Sequence, residues 1–204
     1  MKIVYVGIWR NESKPAVELV HEANLAGLNF FQKPPVLEFL QAAAASFAGQ
    51  TLPGQRNTVM PKPGEEGENN TLVSYGRTEG FCGICITDRE YDARVAHGLL
   101  NKVVDDFLTR YNRPAFQSAA PNSLQLPDLK GDLQKWQDPA QADNITKIQR
   151  ELDETKINLH GSIQAALERG QKFEDMVAKS ENLSASSKMF YTQAKKQNSC
   201  CVVM

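Results

Sequence analysis

A heptad seam in the last third of the chain limits its possible folds more than any other feature. Between Ile145 and Gln197, steps of three and four pass through Ile145, Ile148, Leu152, Thr155, Leu159, Ser162, Ala166, Arg169, Phe173, Met176, Ser180, Leu183, Ser187, Phe190, Ala194 and Gln197. A heptad repeat kept this long predicts a helix supercoiled against other helices, because a straight α-helix rotates its apolar stripe away from any partner. As one helix the seam would measure roughly 80 Å at about 1.5 Å per residue. A compact domain of this size needs no such rod. The seam is also weak by itself. Thr155, Ser162, Ser180 and Ser187 dilute it, and Gly161 and Gly170 interrupt the helix at roughly 1 kcal/mol each relative to Ala.

Arg169 stands midway along the seam. A guanidinium in a packed layer loses its hydration unless acceptors surround its N–H donors, so partner strands should bring neutral oxygens, and glutamine amides suit that need. The alternative is an arginine at the core edge that snorkels to water. Three runs carry a resemblance here. Gln149 to Lys156 (QRELDETK), Leu167 to Lys172 (LERGQK) and Ser184 to Phe190 (SASSKMF) resemble the SNARE motif of an R-SNARE. In that family the central arginine meets three glutamines from three partner helices, and the resemblance implies the same for Arg169.

The remainder is bounded by length and charge. At 204 residues, with 41% hydrophobic and 23% charged residues, the chain accommodates one globular domain and an extended element. Its net charge is -1, from 23 Lys+Arg against 24 Asp+Glu, so nothing steers it to nucleic acid. The apolar start from Met1 to Ile8 lacks the length and cleavage site of a signal peptide, and no run of apolar residues is long enough to span a bilayer. A cytoplasmic chain is expected.

Residues 2 to 9 predict a strand covered on both faces. Val17 to Val20 suits a second strand, or a helix. Pro34-Pro35 opens a helix carrying Val36, Leu37, Leu40, Ala43, Ala44 and Phe47, and Arg56 to Met60 suits a short edge strand. Pro61 to Asn70 has loop composition, followed by strands over Thr71 to Arg77 and Gly80 to Thr87. After Asp88, the residues Val95, Leu99, Val103, Phe107 and Tyr111 recur every four positions on one helix. From Ala115 to Asp138, Leu124, Leu126, Leu129, Leu133 and Trp136 are too apolar for a free linker, and a short docked helix is expected.

This order predicts an α+β fold, and in front of an R-SNARE motif it resembles a longin domain. The resemblance implies a profilin-like, five-stranded antiparallel sheet with helices on both faces, followed by the long SNARE helix. The boundaries are residues 1–113 for the longin-like domain, 114–137 for a docking segment and linker, 138–198 for the R-SNARE motif and 199–204 for a tail. It also implies self-inhibition, with the seam folded back on a groove around Phe39, Leu40 and Phe47. The run Ala42, Ala43, Ala44, Ala45 departs from the aromatic residues the family often presents there and predicts a shallower groove.

No catalytic residue, metal site or cofactor is predicted. Cys82 and Cys85 have C-x-x-C spacing, but residues three apart on a strand point to opposite faces, so two structural thiols are expected. His21, His97 and His160 are scattered, which suits surface or helix-flank positions. Phosphate-loop, nucleophile-elbow and zincin motifs do not occur.

The tail does carry chemistry. Cys201-Val202-Val203-Met204 matches a C-a-a-X box, whose final Met favours farnesyl on Cys201. One such chain binds a membrane marginally, and Cys200 is placed for a second lipid, palmitoyl or another, with Lys195-Lys196 facing anionic headgroups. The whole arrangement resembles the lipid-anchored, prenylated longin R-SNAREs. That resemblance implies a non-enzymatic vesicle-fusion protein that cycles between cytosol and the cytoplasmic face of Golgi, endoplasmic reticulum, endosomal and vacuolar membranes. The partners it implies are three glutamine SNARE helices, disassembly and tethering machinery, a prenyltransferase and the membrane itself. The rival is a lipidated longin-type adaptor or tether whose coiled coil never drives fusion.

Overall fold

Ile3–Arg10 and Phe81–Asp88 lie at the centre of the sheet because both are apolar on both faces and buried almost throughout. The computed structural model describes residues 3–62, 67–138, 156–167, 183–189 and 192. In chain order the elements are β1 (Ile3–Arg10), β2 (Val17–Ala23), α1 (Lys33–Ala48), β3 (Arg56–Val59), β4 (Asn70–Gly76) and β5 (Phe81–Asp88). They continue with α2 (Ala93–Arg110), α3 (Arg113–Gln117), α4 (Leu129–Lys135), β6 (Ile157–His160) and α5 (Ile163–Ala166). The sheet order is β2-β1-β5-β4-β3-β6, antiparallel except for the parallel pair β3 and β6.

The expected five antiparallel strands are present, and the sheet has a sixth. Val17–Ala23 resolves as strand rather than helix because it pairs with β1 from Tyr5↔Ala23 to Arg10↔Val17. The sixth strand comes from inside the heptad region, where a long helix was expected.

One face of the sheet is closed by α2, α3 and α4. Phe81, Phe107 and Phe116 form an aromatic cluster with centroids 5.1–5.7 Å apart. Around it pack Val6, Ile8, Leu99, Leu100, Val103 and Val104. A Cβ at Gly83 would lie 3.1 Å from Leu100 Cδ2 and Val104 Cγ2, so glycine on β5 lets α2 approach closely. The segment beyond α3 docks through Leu126, Leu129, Leu133 and Trp136 on this same face, and Tyr91 Oη donates to Trp136 O at 2.8 Å.

The other face is closed by α1, through Leu40, Ala44, Phe47 and Ala48 against Trp9, Cys82, Ile84 and Ile86. Cys82 belongs to this core and Cys85 to the opposite one, as strand alternation requires. Both thiols are free and fully buried, and burial raises their pKa values beyond the physiological range.

Of the polar groups buried in the fold, Glu18 and His97 each join separate elements. Glu18, 6% exposed, accepts from Tyr5 Oη, from Gln41 Nε2 at 2.7 Å and from Asn122 Nδ2 at 2.9 Å, tying β1, α1 and the segment after α3 to β2. His97 corrects the expectation of a helix-flank histidine. It is fully buried, its Nε2 bonds Thr58 Oγ1 at 2.9 Å, and burial, followed by the nearby Arg56 charge, pushes its pKa down to about 4.

Candidate functional site

The outer side of α1 and the edge of β3 form the surface on which the described segments of the heptad region, residues 156–167 and 183–189, lie. β3 is short and would be the end of the sheet, so its outward backbone groups need partners. They meet β6 in parallel register, Arg56↔Ile157 through Val59↔His160. Met60 N–H extends the ladder to His160 O at 3.0 Å, and Asn158 Nδ2 donates to Asn57 Oδ1 at 3.1 Å.

This strand corrects the expectation of one uninterrupted helix for residues 157–160. Ile157, Leu159 and the half-buried His160 can follow either period, and an open strand edge satisfies the backbone of an isolated segment that has no partner helix. Gly161 follows directly, at a bend. Ser162 then caps α5, its Oγ accepting from Ala165 N–H at 2.9 Å. α5 turns Ile163 and Ala166 onto the α1 core. A small cleft at this junction is lined by Phe47, Asn57, Val59, Asn158, His160 and Ala166, among others.

A second patch lies farther along the heptad region. Leu167 and Leu183, 7% and 5% exposed, pack with Ala43, and Phe39, Ala42 and Ile163 surround them. The methyl side chains of Ala42 and Ala43 leave room for the two leucines, and the alanine run creates the seat itself. Residues 185–189 are helical. Their start is fixed by Glu38, whose Oε2 accepts from Ser184 N–H at 2.8 Å and from Ser187 Oγ at 2.6 Å. Burial pulls the Glu38 carboxyl upward. The Ser187 and Ser184 bonds outweigh that and leave its pKa below the usual value.

The predicted site residues therefore separate into groups. Phe39 lies in the patch that receives Leu183, whereas Leu40 and Phe47 point into the core under α1, with Phe47 also reaching the cleft. Of the seam, Leu159 is 70% exposed on β6, Ser162 is a cap, and Ala166, Leu183 and Ser187 face α1. Arg169, Ile145, Ile148, Leu152, Thr155, Phe173, Met176, Ser180, Phe190, Ala194, Gln197, Cys200 and Cys201 lie outside the described residues. Glu38 went unnoticed in the sequence because a lone acid on a helix flank carries no periodic signal.

Among the described residues, no three His, Cys, Asp or Glu side chains gather as a metal site, and no helix is long and apolar enough to cross a membrane. Comparison with known proteins matches two stretches of the chain to two families. Residues 38–133 match the Longin family, a regulated-SNARE-like domain, and residues 144–202 match the Synaptobrevin family. The chain is 46% identical over 206 residues to the Synaptobrevin homolog YKT6 of Eremothecium gossypii, covering 100% of both. It is 43% identical over 206 residues to that of Saccharomyces cerevisiae, again covering 100% of both. To the VAMP-like protein YKT61 of Arabidopsis thaliana it is 40% identical over 194 residues, 95% of this chain and 94% of the relative.

Proposed function

The chain belongs to the longin-domain R-SNAREs of the synaptobrevin family, non-enzymatic proteins of vesicle traffic, and on that premise we propose that it switches between a closed and a bundled state. In the closed state the heptad region rests on α1 and β3. In the bundled state it leaves them and zips with three glutamine SNARE helices on an opposing membrane, with Arg169 at the central layer. Zipping toward the lipidated tail draws the two bilayers together, and heptad burial supplies the work. Arg169 fixes register, because a slip by one heptad would bury it without acceptors.

One observation supports the switch above all. Ala166, Leu183 and Ser187, which a bundle would bury between helices, are the seam residues that face α1. A seam cannot serve both partners at once, so docking opposes assembly by mass action. Tethered in the same chain, the docked segment is present at an effective concentration around millimolar, and weak contacts suffice to hold it.

Farnesyl on Cys201, with a second lipid on Cys200, supplies the anchor in this account, and the membranes served are those of the Golgi, endoplasmic reticulum, endosome and vacuole. Disassembly and tethering machinery and a prenyltransferase complete the set of partners.

The test is a circular-dichroism titration of the full chain with the three glutamine helices. Helical signal should rise beyond the sum of the parts, and the product should melt well above the free chain. A lipidated adaptor would leave both unchanged. Cys201→Ser should make the cellular protein wholly soluble, and persistence on membranes would contradict the anchor.

A further inference from the structure

The largest exposed apolar groups in the described residues stand together, immediately before α1. Phe30 and Phe31 are 80% and 85% exposed and contact each other edge to face, centroids 5.7 Å apart. Their setting is rigid. Asn29 N–H donates to Gln32 Oε1 at 3.3 Å, and Gln32 N–H donates to Asn29 Oδ1 at 3.0 Å, a reciprocal capping arrangement that starts the helical turn four residues before α1. Lys33 N–H closes that turn on Asn29 O at 3.2 Å. Leu25, packed against the α1 core, pins the other end of the loop. Two aromatic rings are thus presented to solvent by a preformed turn.

We propose that this tip is a bilayer-inserting surface, with Phe30 and Phe31 entering the headgroup and acyl boundary of an anionic membrane. Three observations favour lipid over another occupant. The reciprocal bonds satisfy the Asn29 and Gln32 N–H groups on either side of the rings, which lowers the cost of bringing this turn to an apolar interface. Between residues 24 and 37 the only charge is the exposed Lys33, so anionic headgroups meet one cation and no acid. The tip also exposes two adjacent rings in edge-to-face contact, and a soft interface takes up such a pair without a matching pocket. The surface would hold the domain at the bilayer whether or not the heptad region is docked, which goes beyond the fusion account and does not depend on it.

Placing tryptophan in the full chain by Phe31→Trp reads insertion directly, since Trp9 and Trp136, the chain's two tryptophans, are buried. With vesicles of phosphatidylcholine and about one-fifth phosphatidylserine, its emission should shift to the blue and be quenched by bromines high on the acyl chains. The double change Phe30→Ser, Phe31→Ser should lower vesicle partitioning about 10-fold while leaving far-UV circular dichroism and Tm unchanged. Emission unaltered at saturating lipid would overturn the proposal, as would equal partitioning of the double variant. Lipid-free self-association through the two rings, seen by sedimentation velocity, would overturn it in favour of a second copy as the occupant. No arm uses glutamine SNARE helices, so failure here and failure of the fusion account are separately visible.

Discussion

On one face of the sheet Phe81, Phe107 and Phe116 interlock beneath an 18-residue helix; on the other, α1 turns Ala42 and Ala43 outward and receives Leu167 and Leu183 from far along the chain. The first face is held by large side chains that cannot separate without opening cavities. The second is closed, on its outer side, by methyl groups, two leucines, a four-residue strand and the bonds to Glu38, all of which water or a new partner can replace. Side-chain size thus separates the interlocked aromatic core on one face from the methyl-lined contact on the other.

The contrast breaks first if both faces respond alike to truncation. Phe107→Ala should cost about 3–5 kcal/mol in urea unfolding, since it removes a fully buried ring. Leu183→Ala removes a nearly buried leucine but should leave the urea midpoint of the domain almost unmoved, releasing instead the amide protection of residues 183–189. An equal fall in midpoint would make the docked segment part of the core.

Acid should separate the faces next. The His97 ring stays neutral in the fold down to about 4, whereas its ordinary value is 6.5. As pH falls through that window the unfolded chain takes up the proton the folded chain refuses, so global stability drops, by about 3 kcal/mol in total. A His97→Gln variant should flatten the slope in chemical denaturation.

Glu38 predicts a smaller, local effect. Its carboxyl lies below its ordinary value of 4.5, so its contribution to docking is complete above that pH and is lost as pH falls below it. Glu38→Gln should weaken docking by about 1 kcal/mol, read as several-fold faster exchange at Ser184 and Ser187 with an unchanged domain Tm.

Much of this architecture was legible because it follows single periods. β1, β4 and β5 alternate or run apolar throughout, α2 repeats every four residues, and Pro34 and Pro35 mark the first turn of α1. The misses share a cause. β6 exists because β3 offers an edge more than ninety residues upstream, and no local pattern competes with the heptad signal there. His97 is buried because Thr58 meets it from a distant strand. Of the candidate site, the α1 surface was legible as a seat for the seam, but Glu38 and the strand edge against which the described segments rest were not.

The central claim is that docking on β3 and assembly with partner helices exclude each other. The Met60 amide reports on this, because its N–H is bonded to His160 O across the β3 and β6 edge. Its hydrogen exchange in the full chain should be slow alone and rise by orders of magnitude once the three glutamine SNARE helices are added, as β6 leaves. A bundle that forms, by its melting transition, while Met60 stays as protected as in the free chain would contradict the account.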